Sequence, residues 1–346
     1  MSEVRIEPGT AAVEPPPAGG NVKSRVVLRG VKDTSVRTAV QQCLEACDWE
    51  SWVPRGATVV LKPNVCTAVK DISDVANTSV EITAALCELL LTRTGKIAIG
   101  ESRHMRQTPW EAFPAAGYPE MAKRLGVTLV NFSEEPTTPC ECEPVGIIEL
   151  PRRILEADVF ITLPVLKTHA LTYFTGSLKN QWGCVPNYLD RLHHHLRIHE
   201  LLPTLHRVLK PKLSLMDGIL AMDGRGPVAG GKRNLDVILA SRDGVALDAA
   251  AMRLVGLDPL LCRHVVNAAQ RGLGRFAEDQ IELDGDWRKY ATRFNAPPGD
   301  IANTAMFYMC RFPWFVKYVL GNDTVYNPIR DLVKFVRGDN RAKAKA

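Results

Sequence analysis

The sequence has no C-x-x-C pair among its nine cysteines, which stand at 43, 47, 66, 87, 140, 142, 184, 262 and 310. That spacing argues against a structural zinc ribbon or a ferredoxin-type cluster run, and the odd count argues against a secreted disulfide framework. G-x-x-x-x-G-K-[ST], G-x-G-x-x-G and H-E-x-x-H are also missing, so a P-loop NTPase, a standard dinucleotide fold and a zincin have no support. Long apolar runs are lacking: the longest, Val159–Leu166, has eight residues and contains Pro164, well short of the roughly 18–20 that span a bilayer. The N-terminus shows no charged segment followed by an apolar one, so no secretory signal is expected and reduced thiols in the cytoplasm are. Net charge is small, 43 basic against 38 acidic residues, and the last ten residues supply +3 of the resulting +5. The nearly neutral remainder gives no reason to expect a nucleic-acid partner.

What is present is alternation. Over 346 residues with 46% hydrophobic content, short apolar segments alternate with helix-period segments, which predicts an α/β fold. We expect a mostly parallel, doubly wound sheet with helices on both faces. Strands are expected near 58–61, 96–100, 127–132, 158–166, 212–220 and 235–241. Helices are expected at 35–47, from a Thr78-x-x-Glu81 capping box to Leu91, at 119–125, at 188–209 and at 244–254. Residues 1–23, rich in Pro, Gly and Ala, read as a disordered tail. Residues 24–285 read as the α/β domain, and 286–346 as a helical, aromatic and basic arm.

Polar clusters follow the apolar strands: Lys62/Asn64, Glu101/Ser102/His104, Lys167/His169, Asp217/Gly218 and Arg242/Asp243. Parallel strands would bring these tips to one sheet edge, where open α/β sheets bind ligands. The densest stretch runs from Leu163 through Lys167, His169, Thr172, Thr175, Lys179 and Asn180 to Gly183. Its two lysines, histidine and hydroxyls suit a carboxylate or phosphate and can move a proton near neutral pH. The glycine-rich stretch 217–231, with Gly226, is a second candidate for approach to an anion. His195 and His199, four apart on the expected 188–209 helix, have the spacing of a metal pair, with an ordinary polar helix surface as the alternative. Cys140 and Cys142 stay unassigned, and Cys184 has no base partner identifiable from sequence.

The segments VLKPN (60–64), ADVFITLPVLKTH (157–169), TGSLKNQWG (175–183), MDG (216–218), GP (226–227) and ASRDGVALD (240–248) occur in order. By them the chain resembles domain-of-unknown-function family 362 over about residues 58–285. Many relatives carry a ferredoxin-like module; its cysteine run is absent here, so that role is not carried over. The Lys-x-His and Lys-Asn segments are also similar to the nickel-pincer lactate racemase group.

Together these features point to an enzyme acting on a small anionic molecule by proton transfer, of isomerase, lyase or redox type. Lys167, His169, Lys179 and Asn180 are the expected catalytic groups. Lys62, Asn64, Glu101, Thr175, Asp217, Gly226 and Asp243 are the expected substrate-binding groups. A metal or cofactor carrier is the alternative, with a divalent metal as the open cofactor. For the arm, Met306–Leu320 interleaves aromatics with Arg311 and Lys317, which fits a peripheral membrane contact, a homo-oligomer contact or a packed cover.

Overall fold

The computed structural model describes residues 22–104, 107–298, 305–306, 308–320 and 322–337. Among these, twelve strands form two sheets: β1 (Ser24–Gly30), β2 (Val59–Pro63), β3 (Ile97–Glu101), β4 (Thr128–Asn131), β5 (Thr137–Glu141), β6 (Ile147–Pro151), β7 (Val159–Leu163), β8 (Val165–His169), β9 (Tyr173–Phe174), β10 (Leu213–Asp223), β11 (Gly231–Ser241) and β12 (Ile281–Asp284). The main sheet has the order β12-β1-β11-β10-β7-β2-β3-β4, with β8 and β9 continuing off β10. Strands β10, β7, β2, β3 and β4 are mutually parallel, while β11 is antiparallel to both β10 and β1. The sheet is therefore mostly parallel, with β11 the one reversed strand along that path.

Chain order explains where a ligand would sit. From β2 the chain steps outward to β3 and β4, then returns to the other side of β2 as β7 and moves away through β10. Strands β2 and β7 are thus neighbours whose onward connections diverge, which opens a crevice at their carboxyl ends.

Both faces of the sheet are covered. In β2, Val59 and Leu61 pack against the Val36–Ala46 and Val80–Leu90 helices, while Val60 packs with the Ile198–Leu209 helix on the other face. The Val36–Ala46 helix buries Val36, Ala39, Val40, Cys43 and Leu44 at the spacing seen in sequence, and the Ser35 side chain caps it by accepting from Thr38 N. Each large apolar side chain so removed from water contributes about 1.5–3 kcal/mol, and burial pushes the Cys43 thiol up, as expected for a core residue.

Several expected elements differ. The cap of the Val80–Leu90 helix is Ser79, one residue later than the capping box implied. Thr78 instead uses its hydroxyl to accept from Asn64 N and donate to Leu163 O, fastening β2 to β7. The 158–166 strand divides at Pro164 into β7 and β8. Outside the expected strands, β5 pairs with β6 in a separate hairpin; β5 carries Cys140 and is followed by the buried Cys142. The long 188–209 helix is interrupted: Tyr188–His194 is followed by a 3-10 turn, His195–Arg197, and then Ile198–Leu209. Pro203 lies inside that last helix and cannot bond the His199 carbonyl; Asn267 Nδ2 takes that carbonyl at 3.0 Å instead.

The interruption puts the two histidines of the expected metal pair on different elements, with different ring partners. His199 stacks on His264 at 5.7 Å, whereas His195 lies edge-on to Trp182 at 6.1 Å. The glycine-rich stretch 217–231 also changes meaning, because it holds the end of β10 and the connection of the β10–β11 hairpin. Residues 286–298 are fastened to the α/β body beyond the expected boundary at 285, through Thr292 N to Leu254 O, Phe294 N to Val255 O, and Asn295 to Asp223. Of the expected tail, residues 1–21 lie outside the described residues. No helix among the described residues is long and apolar enough to cross a membrane.

Candidate functional site

The carboxyl ends of β2, β3 and β8 open into a cavity of about 440 Å³, and the segment after β9 completes its wall. Lys62 and Asn64 come from the end of β2, Glu101 from β3, and Lys167 and His169 from β8. Thr175, Lys179 and Asn180 come from the following turn and the short Ser177–Asn180 helix. That helix is set by Asp248, whose carboxylate accepts from Ser177 N at 2.6 Å and Leu178 N at 3.1 Å. Gly176 is required for the approach, since a Cβ there would lie 2.1 Å from Asp248 Oδ1.

Three lysines line the cavity, and their ammonium groups differ in commitment. Lys62 Nζ donates to Glu101 Oε2 at 2.6 Å, Pro63 O at 2.8 Å and Asn180 Oδ1 at 3.3 Å. Lys167 Nζ donates to Ala76 O at 2.7 Å and Asn64 Oδ1 at 3.3 Å, with Cys66 Sγ at 3.6 Å. Each has three donors, so both are full. Lys179 Nζ has no hydrogen bond or ion pair with any described residue. Burial, with Arg191 and Lys167 beside it, brings Lys179 down to about 7. It is the cavity's uncommitted amine, and it stands near the midpoint of its titration at neutral pH.

His169 has a defined role for one ring nitrogen. Leu171 N at 3.1 Å and Thr172 N at 3.3 Å both donate to Nδ1, so the ring proton resides on Nε2. Burial, and then the charge of Lys179, hold the imidazole well below its usual range. The sequence suggested an acid/base group; the geometry makes His169 a neutral donor through Nε2–H. Burial and Lys179 likewise bring His195 down to about 3.

Asn180, expected to be catalytic, donates from Nδ2 to Lys62 O at 2.9 Å and Thr162 Oγ1 at 2.7 Å while its Oδ1 accepts from Lys62. With its amide occupied, it positions Lys62. Glu101 likewise accepts from Lys62 and from Val65 N at 3.1 Å, so it holds a cation in place.

Three expected site residues lie elsewhere. Asp243 follows β11, and because that strand runs in reverse it emerges at the opposite sheet edge. There its carboxylate accepts from Val245 N, Ala246 N, Ser24 Oγ and Arg275 N, and it caps the Gly244–Leu254 helix. Asp217 is interior to β10 and accepts from Ser79 N at 2.7 Å and Ile219 N at 3.0 Å; burial raises it to about 6. Gly226 packs so closely on β8 that a Cβ would lie 2.0 Å from Thr168 O, and it delivers Pro227 and Val228 to the cavity wall.

Other lining residues were not foreseen. Arg191 and Tyr188, on the Tyr188–His194 helix, face the cavity, as do Met306 and Tyr326 from the arm. Nothing in the sequence around Arg191 distinguishes it from a solvated helix residue. Gly183 is a further constraint: a Cβ would fall 2.4 Å from Glu101 Oε1 and 2.8 Å from Lys62 Nζ. Gly183→Ala should therefore destabilise the chain by about 1–3 kcal/mol, read as a lower midpoint in urea; an unchanged midpoint would mean the Lys62–Glu101 pair can move aside.

The metal expected as an open alternative finds no ready donor set. Among the described residues no group of three or more His, Cys, Asp or Glu side chains converges in a way that could hold an ion. Among the described lining residues the one carboxylate, Glu101, is bonded to Lys62, and His169 Nδ1 is taken by backbone amides.

The family described as "Domain of unknown function (DUF362)" matches residues 59–253, more than half of the chain. The chain belongs to domain-of-unknown-function family 362. A curated relative, the thylakoid-associated protein sll1697 of Synechocystis sp., is 31% identical over 237 residues, 65% of this chain and 70% of that one. The lactate racemase apoprotein of Thermoanaerobacterium thermosaccharolyticum is a structural neighbour at 12% identity and a TM-score of 0.42, covering 66% of this chain. This chain spans 58% of that protein, less than two thirds of its length. The matched family 362 segment contains Lys62, Glu101, Lys167, His169, Lys179 and Arg191.

Proposed function

We propose that the cavity binds a small organic anion, a carboxylate or phosphate bearing a carbonyl, and that Lys179 moves a proton on it. One observation carries this reading: among the described residues, Lys62, Lys167, Lys179 and Arg191 line the cavity against a single carboxylate, Glu101. That surplus of positive charge in a half-enclosed, low-dielectric space favours an anion strongly. Arg191, with its planar fork, suits the substrate's carboxylate or phosphate. His169 Nε2–H and the fixed ammonium of Lys167 offer stabilisation to charge developing on a carbonyl oxygen. Lys179, brought to about 7 by burial and neighbouring cations, has the affinity a base or acid needs at neutral pH. Asn180 and Glu101 act by holding Lys62. A cytoplasmic setting belongs to this reading, since all nine cysteines are free thiols.

The test is a panel of phosphate, acetate and 2-oxo acids, scored by calorimetry and by thermal shift. Anions should bind and stabilise, with affinity falling as salt rises. The pH dependence has opposite signs for binding and chemistry. Below about 7 Lys179 is an ammonium and attracts the anion; above it the amine is free to accept a proton. Affinity should weaken and turnover per bound substrate should rise as pH passes through about 7. Preference for cations or neutral ligands across the panel would end the reading.

A further inference from the structure

The arm after residue 304 has two faces. Its inner face packs Met306, Phe315, Val316, Leu320 and Tyr326 around Cys310 and against Tyr188 and Leu192 of the Tyr188–His194 helix. Its outer face leaves Tyr308, Phe312, Trp314 and Tyr318 half or more exposed, at 55%, 50%, 52% and 59%. On the Asp323–Arg337 helix, Val325, Ile329 and Leu332 are exposed as well. Their spacing of four and three places them on one helix face. No described element covers these side chains, and so many exposed apolar groups close together in one segment mark an interaction surface.

The charge of the same segment says what that surface meets. From Ala305 to the C-terminus the sequence holds eight basic and three acidic residues, a net +5 equal to that of the whole chain, so residues 1–304 are balanced at 35 and 35. Arg311 and Lys317 alternate with the exposed aromatics, and Lys317 Nζ lies 5.1 Å from the centre of the Tyr318 ring. Phe312 and Trp314 stand 6.4 Å apart. Amphipathic rings beside flexible cations suit a lipid headgroup boundary, where rings enter the apolar layer and ammonium groups reach the phosphates. An anionic bilayer uses both features at once, the rings in its apolar layer and the cations at its phosphates.

We infer that the outer face of residues 308–332 docks on an anionic membrane surface, with the basic C-terminal residues adding electrostatic attraction. This goes beyond the cavity's proposed chemistry and stands independently of it. Docking would also place the cavity next to the bilayer, since Met306 and Tyr326 of the same segment line it.

The experiment is flotation of the full chain with vesicles of phosphatidylcholine alone and with vesicles rich in phosphatidylglycerol. The chain should float with the anionic vesicles and remain largely unbound with the neutral ones, and high salt should release it. Trp314→Ser combined with Leu332→Ser should lower the partition coefficient roughly tenfold or more. Arg311→Gln and Lys317→Gln should each lower it roughly fivefold, and their circular dichroism serves as the folding check. Equal flotation of the wild type and these variants, or no flotation at all, overturns the inference. So does a concentration-dependent dimer abolished by Trp314→Ser, which would make the face a contact between copies.

Discussion

Lys179→Met should produce a protein that is more stable and binds its anion more weakly. Every ammonium in a cavity crowded with cations is destabilising unless it is bonded, and Lys179 is the lysine there without a partner among the described residues. Its proton is held to about 7 in the folded chain and to about 10.5 when the chain is unfolded. Between those values the unfolded state binds more protons, so the stability of the wild type should rise with pH across that window. Methionine keeps the length and removes the charge; the melting temperature at neutral pH should increase by about 2–4 °C for each kcal/mol of relieved desolvation, and the rise with pH should flatten. Anion affinity should fall roughly tenfold to a hundredfold, the worth of one charge-assisted hydrogen bond of about 1.5–3 kcal/mol. Such an exchange of stability for function is typical of active-site groups held in unfavourable surroundings. A dinitrofluorobenzene modification series, mapped by mass spectrometry, supplies an activity-free check: Lys179 should react ahead of the exposed lysines at neutral pH, with a rate midpoint near 7. A Lys179 no more reactive than the exposed lysines would contradict the proposed base, whatever the melting curves show.

Glu101→Ala should have the opposite effect on stability. The Lys62 ammonium is 1% exposed and its counter-charge is the Glu101 carboxylate at 2.6 Å. Removing that carboxylate strands a buried cation and also takes the acceptor from Val65 N. Breaking one side of a buried pair costs about 3–5 kcal/mol, visible as a lower midpoint in urea at unchanged slope. The double variant Lys62→Met/Glu101→Leu should recover most of that loss, because no charge is then left unpaired. If Glu101→Ala alone were nearly neutral, water would have to reach Lys62, and the low-dielectric description of the cavity would need revision.

Much of this arrangement can be read before any coordinates. Strand tips carrying Lys62, Glu101 and Lys167 are brought together because β2, β3 and β8 follow one direction, and the apolar lead into each tip marks the direction of exit from the core. The reading stops where strand sense has to be known. The connection between β10 and β11 is glycine-rich, and a hairpin and a crossover begin alike there; taking β11 as parallel placed Asp243 at the wrong edge. The 3-10 turn at His195–Arg197 was equally hidden, since helical periodicity runs through it. Which lysine is free is also invisible in sequence. Lys62 and Lys167 are filled partly by main-chain carbonyls, Pro63 O and Ala76 O, and no residue type announces those. Arg191 stands among histidines and leucines in a segment whose composition matches any amphipathic surface.

The roof of the cavity has a practical consequence. Met306 and Tyr326 come from a segment that follows the hydrogen bonds fastening Asn295 to Asp223. A shortened protein ending just after residue 298 would keep its sheet and its Lys62–Glu101 ion pair, while losing the apolar packing of the arm on Tyr188 and Leu192. Its chamber, however, would stand open to bulk water, and the attraction between its cations and a bound anion would be screened many-fold. Affinities measured on such a trimmed protein would describe a flooded basin and understate the intact one.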